Sequence, residues 1–270
     1  NVQGDQTVNG SQDITGDQTV EGEQTVNGGQ TVTGGQTVNG GSITNGDSTT
    51  TGDSTTKGDG NIEGDLNVGG DGNVDGDMNV GFDGADDNGD GTPDRPGDLN
   101  VAGDSNINGN ETVDGDETVK GDSDVWGDQN VGGDSHIMGN ETVDGSETVK
   151  GDSDVWGDQN VGGDSHIMGN ETVDGDEIVK GDSNVGGNQD VAGDGHYGGD
   201  LTVDGSETVK GDSDVWGDQN VGGDSHIMGN ETVDGDETVK GDSNVGGNQD
   251  VTGNANLGGD TFVGFDGADS

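Results

Sequence analysis

The strongest constraint on the fold is a six-residue frame that the sequence keeps over most of its length. Counted from Asn1, the fourth position of every unit is glycine, the second is nearly always Val or Ile, and the fifth is most often Asp. The frame runs through Met78, stops, and resumes from Asn100 to Thr261, which makes thirteen and then twenty-seven units. A disordered chain has no need of such a frame, so the pattern predicts a folded repeat array.

The spacing of the aliphatic residues predicts short strands. One aliphatic residue in six does not fit a helix, which needs apolar residues at i, i+3, i+4 and i+7. It does fit a three-residue strand with position 2 inward and positions 1 and 3 outward. The Gly-Asp pair that follows is turn chemistry, since glycine reaches positive φ and Asp bonds nearby backbone. Each unit therefore reads as a strand and a corner of an all-β solenoid.

The number of units in one coil is less constrained. Three units give the 18-residue, three-sided coil of left-handed hexapeptide β-helices, which this sequence resembles in period and in its aliphatic position. That family keeps a small inward residue two positions before the aliphatic one, whereas Gln6, Met78 and Glu117 stand there in this chain. Because unpartnered polar groups are costly to bury, we expect a two-sided, 12-residue coil of two units, with the 18-residue coil as the alternative. The Gly, Asp and Val spacing also resembles that of bactofilin-type solenoids.

Composition agrees with a thin core and excludes several functions. Only 22% of the residues are hydrophobic and 3% aromatic, so a thick globular core is ruled out. The net charge of −51 repels nucleic acid and anionic membranes and attracts cations. No apolar run approaches the roughly 20 residues of a membrane span. No nucleophile–base pattern stands out, so we do not expect an enzyme.

The break in the frame carries the one motif with a specific chemistry. Between Asn79 and Leu99, oxygen-bearing side chains alternate around Gly91, as in an EF-hand loop. The loop resembles those of thrombospondin type 3 and dockerin-like repeats, although Gly97 replaces the last glutamate and no helix flanks it. The resemblance implies a Ca²⁺ site with side-chain ligands Asp86, Asn88, Asp90 and Asp94, a carbonyl from Thr92, and a shell completed by Asp83, Asp87 or Asp98.

These features divide the chain into four segments. Residues 1–78 and 100–263 are predicted solenoid, and residues 79–99 are the predicted calcium loop. The sequence "VGFDGAD" at residues 80–86, inside the predicted loop, recurs at residues 263–269, so we expect residues 264–270 to be the start of a second calcium-type loop or a subunit junction.

Several residue columns are candidates for surface contacts. Equal positions of stacked units form ladders, so we expect an amide ladder of Gln6, Gln12, Gln18, Gln24, Gln30 and Gln36 beside a row of threonines. A thirty-residue repeat places Trp126, Trp156 and Trp216 outward. It consists of "TVKGDSDVWGDQNVGGDSHIMGNE" and the six residues that follow. In a 12-residue coil these residues would lie beside Met138, Met168 and Met228. Glycosylation at the Asn-Glu-Thr texts is left open (Asn110, Asn140, Asn170 and Asn230).

The predicted function is structural. We expect an extracellular or cell-surface β-solenoid, stabilised by Ca²⁺, that associates head to tail into a filament or appendage, because open strand edges must be capped or paired. The tryptophans would contact neighbouring filaments or a surface. The alternative is a binding module, either an adhesin stalk or an ice-binding solenoid that uses flat Thr, Asn and Gln ladders.

Overall fold

The structure is a computed structural model that describes residues 1–81 and 97–264, and it is a parallel β-solenoid. Within these residues, 41 three-residue strands form three parallel sheets, with three strands and 18 residues to a coil, in about 14 turns. The three-sided coil overturns the expected two-sided, 12-residue coil. No helix in the described ranges is long and apolar enough to cross a membrane.

The strands follow the sequence frame without exception. They begin at every sixth residue from β1 (Gln6–Val8) to β13 (Met78–Val80) and from β14 (Leu99–Val101) to β41 (Thr261–Val263). The chain separates into two compact units, Asn1–Thr142 and Val143–Ser270.

Strand pairing in both units has the same register. In the first unit Gln6 pairs with Gln24 and Val8 with Val26. In the second, Glu147 pairs with Ser165. Each strand therefore pairs in parallel with the third strand after it, one coil further on. Identical positions of the frame consequently stack in columns, about 4.8 Å apart.

The strand lies one residue earlier in the frame than the aliphatic pattern predicts. It consists of positions 6, 1 and 2, as in β4 (Gln24–Val26), where Gln24 and Val26 are buried and Thr25 faces outward. Positions 3, 4 and 5 form the corner. The core is thus made of two columns per sheet, an aliphatic one at position 2 and a mostly polar one at position 6.

The invariant glycine of the corner is required by close approach between coils. A Cβ on Gly121 would lie 2.7 Å from the carbonyl oxygen of Gly103 in the preceding coil. The Gly121 amide donates a hydrogen bond of 2.9 Å to that oxygen. Among the described glycines, positive φ is confined to Gly4, Gly10, Gly16, Gly46 and Gly81. Close approach between coils therefore explains most of the position-4 glycines, whereas Gly4, Gly10 and Gly16 have open space and a positive φ.

The interruption of the frame leaves the register intact. Leu66 pairs with Leu99, so the strands on the two sides of the interruption are neighbours in one sheet. The coil runs up to Gly81, whose φ is 86°, and continues from Gly97. The strands on either side of the interruption therefore stack as in any other coil.

Candidate functional site

The predicted calcium ligands fall almost entirely outside the described residues. Asp83, Asp86, Asp87, Asn88, Asp90, Thr92 and Asp94 belong to residues 82–96. Of the candidate ligands only Asp98 is described, and its Oδ1 accepts a hydrogen bond of 3.0 Å from the amide of Asp116. The Asp98 amide in turn donates to Asp65 Oδ1 at 3.2 Å.

Asp98 belongs to a series of side chains at position 5 that we call the corner ladder. In it, a side-chain oxygen at position 5 accepts the backbone N–H of position 5 one coil later. Asp104 accepts from Asp122 at 3.1 Å in this way. Asn170 Oδ1 and Ser146 Oγ do the same at 2.9 and 3.2 Å. Position 5 thus accepts Asp, Asn and Ser because each supplies an acceptor at the same place.

The exposed aromatic residues lie at corners. Trp126, Trp156 and Trp216 occupy position 3, and their side chains are 64–72% exposed. Neighbours in a column are three units of the frame apart, whereas Trp156 and Met168 are only two units apart and so lie at different corners. The expected side-by-side pairs of tryptophan and methionine are therefore wrong.

The two polar ladders of the first unit do not form one flat surface. The glutamine ladder is inside, with Gln18, Gln24, Gln30 and Gln36 buried. The threonines face outward but belong to three sheets, since Thr7 pairs with Thr25, Thr31 with Thr49, and Thr19 with Thr37. A single flat array of Thr and Gln is thus ruled out in this region.

An open groove on the second unit has a mixed lining. It has a volume of about 430 Å³ and lies beside Ile178, His196, Gly198 and Trp216. His196 Nδ1 is 3.2 Å from Asp214 Oδ2, and both side chains are partly exposed. The part of the chain that the structure describes contains no group of three or more His, Asp or Glu residues able to hold a metal ion.

The most unusual chemistry is in the interior. We call the buried position-6 side chains from Ser105 to Ser243 the glutamate interior, and the four buried residues Gln18, Gln24, Gln30 and Gln36 the glutamine interior. The carboxyl and amide side chains of the glutamate interior are Glu111, Glu117, Gln129 and Glu141 in the first unit, and Glu147, Gln159, Glu171, Glu177, Gln189, Glu207, Gln219, Glu231 and Glu237 in the second.

In the first unit one amide serves two carboxyl groups. Gln129 Nε2 donates to Glu117 Oε2 at 2.9 Å and more weakly to Glu111 Oε2 at 3.5 Å. Burial raises the pKa of both carboxyl groups above the ordinary value of 4.5, and the neighbouring Glu141 raises them further. These side chains are the polar residues that we expected a three-sided coil to exclude.

In the second unit the same arrangement recurs around Glu207. Gln219 Nε2 donates to Glu207 Oε2 at 2.6 Å, and Ser225 Oγ donates to the same atom at 3.1 Å. Burial raises the pKa of Glu207 to about 8, with a further rise from Glu231, although the two hydrogen bonds oppose it. Burial, followed by Glu231, likewise raises the pKa of Glu237 to about 7.

One copy of the thirty-residue repeat has a different interior. Tyr197 is buried where the other copies have isoleucine, and its hydroxyl donates to Glu177 Oε2 at 2.8 Å. Gly195 replaces the usual serine, and a Cβ there would lie 2.9 Å from the Tyr197 hydroxyl oxygen. The sequence indicates this change, because the small Gly195 stands at position 6 of the same strand that has the bulky Tyr197 at position 2.

Comparison of the chain with protein-family models, with curated proteins and with solved structures found no match. The class that the structure defines is therefore one of architecture alone, a three-sided parallel β-solenoid with a polar interior.

Proposed function

We propose that the protein is a structural β-solenoid of the extracellular space or cell surface, stabilised by Ca²⁺, that self-associates coil on coil into a filament or appendage. The observation that carries the proposal is the uniformity of the coils. Strands in both units pair with one register, and position 5 repeatedly supplies a side-chain acceptor for a backbone N–H of the next coil. An open coil edge of this kind is complementary to another copy of itself.

Two features support the calcium part of the proposal, namely the excess of negative charge and the sequence between Gly81 and Gly97. The chain has 58 Asp and Glu residues against 7 Lys and Arg, so like charges stacked about 5 Å apart repel. The ligand set of Asp86, Asn88, Asp90, Thr92 and Asp94, with Asp83 near it, is the oxygen-rich set that Ca²⁺ prefers. A bound cation beside the continuous register would reduce this repulsion.

The test compares assembly with and without the cation. Sedimentation velocity and electron microscopy of the full chain should show long, uniform species in Ca²⁺ and shorter ones after chelation. A variant with Asp86→Asn and Asp90→Asn should resemble the chelated protein, whereas Asp124→Asn, which changes an outward side chain of a strand, should not. A chain that stays monomeric at every Ca²⁺ concentration would refute self-association.

A second candidate function is contact with a neighbouring filament or a surface through the tryptophans. It is favoured by the exposure of Trp126, Trp156 and Trp216, which are large, mostly apolar side chains on a strongly acidic chain. Replacing all three with Ala should remove lateral bundling or surface adhesion and leave the axial species unchanged. Unaltered bundling would rule the contact out.

A further inference from the structure

The glutamate interior has more hydrogen-bond acceptors than donors. In the first unit the side-chain amide of Gln129 donates hydrogen bonds to the Oε2 atoms of Glu117 and Glu111. Glu111 Oε1, Glu117 Oε1 and Gln129 Oε1 are buried, and the described residues offer them no hydrogen-bond partner. A carboxylate only accepts hydrogen bonds, whereas a carboxylic acid also donates one. A proton on a glutamate would supply a donor to these oxygens, in addition to the hydroxyls of Ser123 and Ser135, which are also buried without a partner among the described residues.

The second unit shows the same excess of acceptors. Glu207 Oε1, Gln219 Oε1 and Glu231 Oε1 are buried without a partner among the described residues. Glu207 Oε2 already accepts from Gln219 and Ser225. The orphan atoms are again carboxyl and amide oxygens, and a protonated carboxyl group would supply a donor to one of them.

Within the described ranges, no basic side chain faces these carboxyl groups. Glu117 faces Glu111, Glu141 and the neutral Gln129. Glu207 faces Glu231, Glu237, Gln219 and Ser225, and Glu177 also lies within its electrostatic reach. The lysines of both units stand at position 3 and are exposed, and the histidines stand at the outward position 1 (Lys57, Lys120, Lys150, Lys180, Lys210 and Lys240; His136, His166, His196 and His226). Buried charges of one sign without a counter-ion are strongly unfavourable.

We propose that the fully buried glutamates Glu111, Glu117 and Glu207 of this interior are neutral carboxylic acids at neutral pH, so that the coils around them form a pH-sensitive element that is stable in acid and loosens in alkali. Each acid donates its proton to an amide or carboxyl oxygen of a neighbouring coil and thereby joins coils to each other. Loss of the proton removes this hydrogen bond and leaves like charges together inside the solenoid.

The direction of the effect follows from the pKa values. Burial raises the pKa of Glu207 from 4.5 to about 8, so the folded chain binds a proton that the unfolded chain has released between these values. The stabilising contribution is complete below about 4.5 and is lost as the pH rises through about 8.

The infrared spectrum of the full chain at about pH 7 tests the proposal directly. A carboxylic acid C=O band should be present, and Glu117→Gln and Glu207→Gln should each weaken it. Both variants should fold, because glutamine already occupies the same buried position at Gln129 and Gln219. The control Glu63→Gln changes an exposed residue and should leave the band unchanged.

A pH series of thermal unfolding provides a second measurement. The midpoint of the wild type should fall between about pH 6 and pH 9, and each interior variant should flatten that decline. Absence of the acid band at pH 7, or a midpoint that is constant over this range, would overturn the proposal. A spectrum of carboxylates alone, together with a loss of stability on chelation, would overturn it in favour of an interior cation.

Discussion

The glutamine interior and the glutamate interior occupy the same position of the same coil, yet they meet the cost of burying polar groups differently. In the first, amides donate to amides, as Gln36 does to Gln24 at 2.8 Å and Gln24 to Gln12 at 3.2 Å. Each of these side chains has both a donor and an acceptor, so the chain of bonds needs nothing else. In the second, carboxyl groups alternate with amides and serines, and the number of donors depends on protonation.

The comparison shows that the three-sided coil does not require an apolar position 6. It requires that buried donors and acceptors match. An amide interior meets this condition at any pH, whereas an acid interior meets it only while protons are bound. The backbone coil is the same in both regions, so the response to pH resides in the side chains.

The largest expected effect comes from making the glutamate interior resemble the glutamine interior. Glu207→Gln should have little effect near pH 4 and should stabilise the protein near pH 9. A rise in pKa from 4.5 to about 8 corresponds to at most roughly 5 kcal/mol of stability lost by the wild type in alkali. Urea unfolding at both pH values measures the difference. Equal stability of variant and wild type at pH 9 would contradict the comparison.

The reverse exchange should produce a somewhat smaller effect. Gln24→Glu places a carboxyl group in the glutamine interior, where Gln24 is fully buried. We expect a loss of about 3–5 kcal/mol in alkali, when the buried charge has no counter-ion, and a smaller loss in acid. The matched control, Asn27→Asp, adds the same charge on the exposed corner of the same coil. If both variants show the same pH dependence in urea unfolding, burial is not the cause.

Much of the fold could be predicted from the sequence, and the failure has a specific cause. The frame predicts the β-solenoid and the inward Val column, and both are confirmed. The coil size was wrong because Gln and Glu at position 6 were expected to lack partners, whereas they hydrogen-bond to each other across coils. The sequence does indicate that position 6 is buried. This position contains Gln, Glu, Ser, Thr, Gly or apolar residues but no Asp, Lys or Arg, although Asp is common elsewhere.

The candidate sites were less predictable. The glutamate interior depends on contacts such as that between Gln129 and Glu117, which belong to different sheets and meet because the inward side chains of the three sheets converge in the interior. The corner ladder was missed because each of its side-chain oxygens accepts from a backbone N–H of the next coil, a contact that the six-residue frame does not reveal. The calcium loop stays a prediction, as its side-chain ligands lie outside the described residues.

The exchange at Gly195 and Tyr197 tests how closely the glutamate interior is packed. Gly195→Ser should cost about 1–3 kcal/mol, since the added side chain overlaps the Tyr197 ring and hydroxyl. The double variant with Tyr197→Ile restores the Ser-His-Ile sequence of the other copies, as at Ser135, and should recover most of the lost stability. Thermal unfolding of both variants decides this, and a double variant no more stable than the single one would contradict it.

The smallest expected effect is one that the two regions should share. Asp17 Oδ1 accepts from the Gly35 amide at 3.0 Å beside the glutamine interior, and Asp104 Oδ1 accepts from the Asp122 amide at 3.1 Å near the glutamate interior. Asp17→Ala and Asp104→Ala should each cost about 1 kcal/mol in urea unfolding, because a corner N–H loses its acceptor.

The matched controls Asp17→Asn and Asp104→Asn keep the acceptor and should cost less, as Asn110 already serves this role at 3.0 Å. The losses should be equal in the two regions and nearly constant from about pH 6 to pH 9, since the corner ladder does not involve the interior protons. If the loss of unfolding free energy grew with pH for Asp104→Ala but not for Asp17→Ala, the corner and the glutamate interior would be coupled. The backbone coil and the pH response of the side chains could then not be treated separately, and the comparison would fail.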